Sequence, residues 1–215
     1  MLKLAVEVAA ALTGLVSAWL TVVQRIGCFP SGIVSSGLYA WVFFHAKLYS
    51  DMLLQVVFIV LQVYGWWCWG RGEGGEGREL RVIRLSRRGW WLAGGAAVFG
   101  TATLGGVMHA LTDAALPFPD ALAAVLSLLA QTLLSWKVFE AWGLWITVDV
   151  ISLGLYWSRQ LHPTFALYVV FLCLAIRGHR EWKQSLATAN LPPDPAPPGV
   201  ETTPATPPPS VQPAG

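Results

Sequence analysis

Residues 48–69 read LYSDMLLQVVFIVLQVYGWWCW, a stretch in which Asp51 is the one charged side chain. At 1.5 Å of rise per residue, a run of this length crosses the roughly 30 Å hydrocarbon core of a bilayer as a single helix. Asp51, Gln55, Phe58, Gln62 and Trp66 recur along it every three or four residues, so one face of the helix is polar and aromatic. The stretch also has an echo. A shift of 113 positions lays Leu48 on Leu161, Phe58 on Phe171, Gly65 on Gly178 and Trp69 on Trp182, and without a gap it lays helix 1 on helix 5 and helix 2 on helix 6. A fixed period marks a duplicated unit. Residues 48–69 are therefore expected to end the first of two three-helix units.

Composition agrees with a lipid environment. The 215 residues are 55% hydrophobic and 12% charged, about half the charge of a typical soluble domain, and mean hydropathy is +0.55. Apolar runs predict seven helices, near 4–24, 30–46, 48–69, 90–110, 119–136, 141–158 and 163–181. Lys3 and the apolar stretch after it imitate a signal peptide, but Glu7 interrupts the stretch and no cleavage site follows, so it is read as helix 1. The expected fold class is an all-α integral membrane protein with two parallel three-helix repeats joined by a linker helix. Its parts are a first repeat at 1–69, an Arg-rich cytoplasmic loop at 70–89, the linker at 90–110, a second repeat at 119–182 and a disordered Pro-rich tail at 187–215.

Orientation follows from the basic residues, which stay cytoplasmic. Lys3, Lys47 and Arg159 fall on one side of this topology. Arg25, Arg71, Arg78, Arg81, Arg84, Arg87, Arg88, Lys137, Arg177, Arg180 and Lys183 fall on the other. The N-terminus is expected in the periplasm and the C-terminus in the cytoplasm. A net charge of +2 gives no reason to expect a nucleic-acid partner, and topology accounts for the arginines of 70–89 without one.

Polar side chains at membrane depth need a partner or a task. In helix 6, Trp142, Trp145, Asp149, Ser152 and Tyr156 share a face; helix 5 adds Ser127 and Gln131, helix 7 adds Thr164 and Tyr168, and helix 2 adds Ser35 and Tyr39. Single serines and threonines serve as interhelical glue, and Asp51 can cap its helix. Asp149 sits mid-helix with no basic residue near it in sequence, and Trp145 shares its face; an aromatic ring beside a carboxylate suits a flat, cationic ligand. No GxxxxGK[ST], HExxH or G-x-S-x-G motif occurs, so ATP-driven pumping by this chain and the hydrolases bearing those motifs are excluded. Cys28, Cys68 and Cys173 lack metal or disulfide spacing, the four histidines form no ligand cluster, and no cofactor is expected.

Helices 2 and 3, PSGIVSSGLYAWVFFHAKLYSDMLLQVVFIVLQVYGWWCW, and the later blocks EAWGLWITVDVISLGLYW and LYVVFLCLAIRGHREWKQSL resemble the PnuC family of vitamin transporters. The resemblance rests on Pro30 and Gly32, the block Leu48 to Gln55, Tyr64-Gly65-Trp66, the block Leu144 to Val150, and Arg180-Glu181-Trp182, and covers about residues 4–186. Phe29 departs from it, since similar sequences often carry Trp before that proline. The resemblance implies a 3+1+3 arrangement like that of SWEET proteins, a homotrimer in the lipid bilayer, and no enzymatic activity. It also implies facilitated uptake of nicotinamide riboside across the bacterial inner membrane, drawn onward by a cytoplasmic nicotinamide riboside kinase. Related members carry thiamine or riboflavin. A substrate site between the repeats is expected at Gln55, Trp66, Gln131, Trp145, Asp149, Thr164 and Tyr168. Trp145 would stack on the ligand ring, Asp149 and the two glutamines would hydrogen-bond its polar groups, and Tyr168 would close the opposite wall. The competing readings are a thiamine or riboflavin carrier and, from another class, a membrane enzyme or sensor.

Overall fold

The computed structural model describes residues 2–72, 80–112 and 115–189. The expected tail from residue 190 onward and residues 73–79 of the expected loop lie outside the described residues. Within them the chain forms seven helices: α1 (Leu2–Val22), α2 (Cys28–His45), α3 (Tyr49–Arg71), α4 (Arg87–Leu111), α5 (Pro117–Ser135), α6 (Ala141–Ser158) and α7 (His162–Ala189). α4 starts three residues before the expected limit because the Ser86 side chain accepts a hydrogen bond from Gly89 N at 3.1 Å. α5 begins on Pro117, whose missing N–H costs nothing in a first turn. α7 continues eight residues past the expected end at 181, since Trp182 and Leu186, one turn apart, are both buried and hold its last turns against the core.

By length and hydropathy, α1, α3, α4 and α5 are each apolar enough to cross a membrane alone. The other three carry Ser35 and Ser36 (α2), Asp149 and Ser152 (α6), and Tyr168 with a basic, polar second half (α7). Ser35, Ser36, Asp149 and Ser152 are all buried against neighbouring helices.

The two three-helix units are built alike. α1 packs on α2 and α2 on α3; correspondingly, α5 packs on α6 and α6 on α7. Between the units α3 packs on α5 and α1 on α7, the same contact generated twice by an approximate two-fold relation. Among the described residues α4 packs on α5 alone and turns Trp91, Leu92, Val98 and Phe99 outward. The repeat extends to backbone torsions. Gln24 (φ 55°) and Lys137 (φ 52°) reverse the chain after α1 and α5, and Lys47 (φ 60°) and Gln160 (φ 58°) do so after α2 and α6. Each pair is 113 positions apart.

At the Arg-rich end of the bundle the two units share one core. A side chain on Gly65 would collide with the Phe29 ring, and one on Gly178 with Trp142. These glycines let an aromatic ring at the start of α2 or α6 lie directly on the backbone of α3 or α7. Phe29 then meets Trp69 edge-on at 5.1 Å, and Trp142 meets Trp182 edge-on at 5.5 Å. Trp69 Nε1 donates to Leu134 O at 3.3 Å, while Trp182 Nε1 donates to Thr21 O at 3.2 Å, each bond crossing to the other unit. Lipid tails are as apolar as leucine, so helices associate here through close packing and such hydrogen bonds instead of through escape from water.

One feature is not duplicated. Residues 80–86 lie along the α5–α6 turn: Ile83 N donates to Lys137 O at 3.1 Å, Phe139 N to Ile83 O at 2.9 Å, and Leu85 N to Glu140 Oε2 at 2.9 Å. Val82 is buried in the same core.

Candidate functional site

The polar groups near the middle of the helices are disposed differently in the two units. In the first, Ser35 Oγ donates to Ala10 O at 2.7 Å and joins α2 to α1. Gln62 Nε2 donates to Ser36 Oγ at 3.0 Å and joins α3 to α2. Gln62 fits only because residue 32 is glycine, since a side chain there would occupy the place of its Oε1.

The second unit holds Asp149 in the middle of α6. It is 4% exposed, and no described residue gives it a hydrogen bond or an ion pair. Tyr168 of α7 stands within electrostatic reach of Asp149 and of Tyr39 on α2. Its ring lies 4.9 Å from Tyr156 and 5.8 Å from Phe171. Three tyrosines from α2, α6 and α7 and one carboxylate thus gather across the junction of the two units, offering hydrogen-bond donors, acceptors and ring faces to a small polar aromatic molecule.

The expected site residues are distributed around this group. Asp149 and Tyr168 belong to it. Trp145 is half-buried one turn from Asp149 on the same face of α6, and Thr164 is half-buried one turn from Tyr168 on α7. Gln131 is buried in α5, where its carbonyl accepts from Ser135 Oγ at 3.0 Å. Gln55 is half-buried on α3 at the position equivalent to Tyr168.

Trp66 stands apart at 44% exposure. Gln62, Gly65 and Trp69 form the buried ridge of α3, and Trp66 lies one residue, about 100° of rotation, beyond Gly65. It lines a shallow surface hollow of about 360 Å³ with Val63, Trp67, Gly70 and Arg71. A larger hollow of about 680 Å³ opens at the Arg-rich end among Trp67, Cys68, Arg71, Gly72, Leu80, Ile83 and Trp136, where the Arg71 guanidinium covers the Trp67 ring at 4.3 Å.

Tyr39, Tyr156, Ser36 and Gln62 are not among the expected site residues, although Tyr39, Tyr156 and Gln62 lie on the polar faces legible in the sequence. Ser36 had a signal too, because the 113-residue shift lays it on Asp149.

Residues 4–184 match the family described as nicotinamide mononucleotide transporter. The chain belongs to this family, that of PnuC. It is 32% identical over 184 residues to the nicotinamide riboside transporter PnuC of Neisseria mucosa, covering 80% of this chain and 70% of the relative. It is 28% identical to the Escherichia coli nicotinamide riboside transporter PnuC, covering 84% and 85%. It is also 27% identical to the riboflavin/roseoflavin transporter RibM of Streptomyces davaonensis, covering 72% and 71%. The crystal structure of the vitamin B3 transporter PnuC superposes with a TM-score of 0.70 at 29% identity, covering 85% of this chain and 82% of that one. The protein is therefore a multi-pass membrane vitamin transporter of the PnuC family with its 3+1+3 fold, and not an enzyme.

Proposed function

We propose that this PnuC-family protein carries nicotinamide riboside inward across the bacterial inner membrane by facilitated diffusion. The observation behind this reading is Asp149, a mid-helix carboxylate with no donor among the described residues, one turn from an indole ring and beside Tyr168. Nicotinamide riboside is a planar cation with a primary amide and ribose hydroxyls. Its ring suits Trp145 by stacking and cation–π attraction, and its N–H and O–H donors suit a carboxylate. Gln55, Gln131 and Thr164 supply further hydrogen-bonding groups and Tyr168 the opposite wall, while Trp66, turned to the surface, stands outside this group. The names of relatives at 28–32% identity support the same substrate. The basic residues favour a periplasmic N-terminus, with cytoplasmic loop and tail. In this reading a cytoplasmic nicotinamide riboside kinase traps the product, and the chains assemble as a homotrimer.

Proteoliposomes holding the purified protein and no ion gradient test the reading. Saturable uptake of labelled nicotinamide riboside, displaced by the unlabelled compound and not by thiamine or riboflavin, is expected. The likeness to RibM favours riboflavin as the second candidate. Uptake of labelled riboflavin with none of nicotinamide riboside would transfer the assignment.

A further inference from the structure

Two seams join the units, α3 against α5 and α1 against α7. The approximate two-fold relation exchanges them, yet at the Arg-rich end they are fastened differently. Beside the tryptophan bond that each seam has, the α3–α5 seam carries two more: Ser135 Oγ donates to Leu61 O at 3.3 Å, and Trp136 Nε1 to the Tyr64 hydroxyl at 3.0 Å. The 113-residue shift lays Ser135 and Trp136 on Val22 and Val23, which have no side-chain donor. Lys137, the next residue, is buried with its ammonium 4.5 Å from the centre of the Trp69 ring, a cation–π contact strengthened by the exclusion of water. Its counterpart Gln24 makes a half-buried hydrogen bond to Ser185 at 2.8 Å. The α1–α7 seam has its own cation–π contact, Arg177 on Trp19, but both side chains are exposed.

The segment 80–86 adds to this imbalance. It is hydrogen-bonded along the α5–α6 turn, and its Leu80 and Leu85 pack on the core that includes Trp69. Leu80 and Ile83 also line one hollow with Trp67, Cys68 and Arg71 of α3 and with Trp136. The segment is thus a strap between the end of α3 and the α5–α6 turn, and among the described residues no comparable segment lies on the α1–α2 turn. The polar group around Asp149 adjoins the more lightly fastened seam. Phe171 of α7, 5.8 Å from Tyr168, reaches α1 at Gly14, where its ring lies 3.6 Å from the place of a side chain. Carriers built from repeats rock one repeat against the other about a central site, and parting a seam means giving up the hydrogen bonds across it.

We propose that the Arg-rich end opens along one seam only: α1 parts from α7, releasing the Gln24–Ser185 and Trp182–Thr21 hydrogen bonds, while α3 and α5 stay joined as a hinge locked by the strap at 80–86. The two-fold relation would let both seams open equally; two valines and one strap decide between them. The gate is the same for whichever vitamin is carried.

The test compares positions 22 and 135, which are equivalent in the repeat and both buried. Val22→Cys and Ser135→Cys are placed singly in a full-length background with Cys28, Cys68 and Cys173 changed to alanine, and each is labelled in lipid nanodiscs with a water-soluble maleimide. A thiol reacts only when water reaches it, so Val22→Cys is expected to react more than about ten-fold faster than Ser135→Cys. Equal rates, whether fast or slow, or the reverse order overturn the proposal, and since labelling needs no vitamin, that outcome is separate from the fate of the nicotinamide riboside reading. Ile83→Pro removes the strap's N–H to Lys137 O and, in a monodisperse sample, is expected to bring position 135 within about three-fold of position 22. An unchanged rate at 135 overturns the strap's part. A reducible cross-link between Gln24→Cys and Ser185→Cys should stop proteoliposome uptake of labelled nicotinamide riboside, or of riboflavin if that is the vitamin carried, until reductant is added. The same cross-link between Tyr64→Cys and Trp136→Cys should leave uptake intact. Uptake that survives the first cross-link, or is lost with the second, refutes the single-seam gate.

Discussion

The two repeats agree where they meet and differ near the midpoints of their helices. At the shared core, Phe29 on Gly65 and Trp142 on Gly178 are the same interlock, and Trp69 and Trp182 send equivalent hydrogen bonds to the opposite unit. Near the helix midpoints, Ser36 and Gln62 satisfy each other in one unit while Asp149 has no donor among the described residues in the other. A duplicated chain can keep both copies of a packing device, because each serves stability independently. Under the proposed function it needs only one copy of a binding group, and the second copy can become part of the core.

The largest effect is expected at the interlocks. Gly178→Val drives a branched side chain into the Trp142 ring and is expected to cost about 3 kcal/mol or more. Gly65→Val meets Phe29 and should do the same. Size-exclusion profiles and thermal midpoints in detergent check both. A tolerated Gly65→Val beside a disruptive Gly178→Val would break the equivalence and make the second unit the structural anchor.

Gln62→Ala comes next. It leaves a void above Gly32 and removes the amide donor from the buried Ser36, with an expected loss of about 1–3 kcal/mol and no change in which vitamin is bound. A variant that keeps its stability but changes substrate preference would place Gln62 in the binding site and erase the distinction between the repeats.

Trp69→Phe and Trp182→Phe each remove one hydrogen bond that crosses between the units, with the ring contact largely kept. About 1 kcal/mol is expected for each, seen as a midpoint shift of roughly 2–4 °C. Unequal shifts would show that one crossing dominates. The smallest effect is expected for the Arg159–Asp120 pair at the opposite end, 2.6 Å apart and partly exposed. Asp120→Asn should lower stability by about 0.5 kcal/mol or less in low salt, and the difference should vanish at high ionic strength.

Much of the fold was legible because lipid imposes a simple rule: apolar runs of spanning length become helices. The limits of α6 agree with the expected ones to the residue. α7 runs past the end of its apolar stretch because Trp182 and Leu186 are held by the core, a reason that hydropathy does not record. The polar group proposed as the site was legible in part. Asp149 and Trp145 stood out by depth and shared face, whereas Trp66 shared a polar stripe with Gln62 yet turned to the surface. The stripe spacing leaves a choice between Gly65 and Trp66 as the inward residue, and that choice depends on Phe29 seeking the bare backbone of a glycine.

The sequence by itself determined that the chain lives in a bilayer, that it is built twice over, and that it belongs with vitamin carriers. These follow from composition, from a 113-residue period and from local blocks, all of which are properties of the chain read one residue at a time. Tertiary structure decided which polar groups are spent and which are free. Gln62 and Asp149 look alike as mid-helix polar residues; among the described residues the neighbouring helix supplies a partner to the first and none to the second. Partnership is a property of two helices, so it is absent from the pattern of either one.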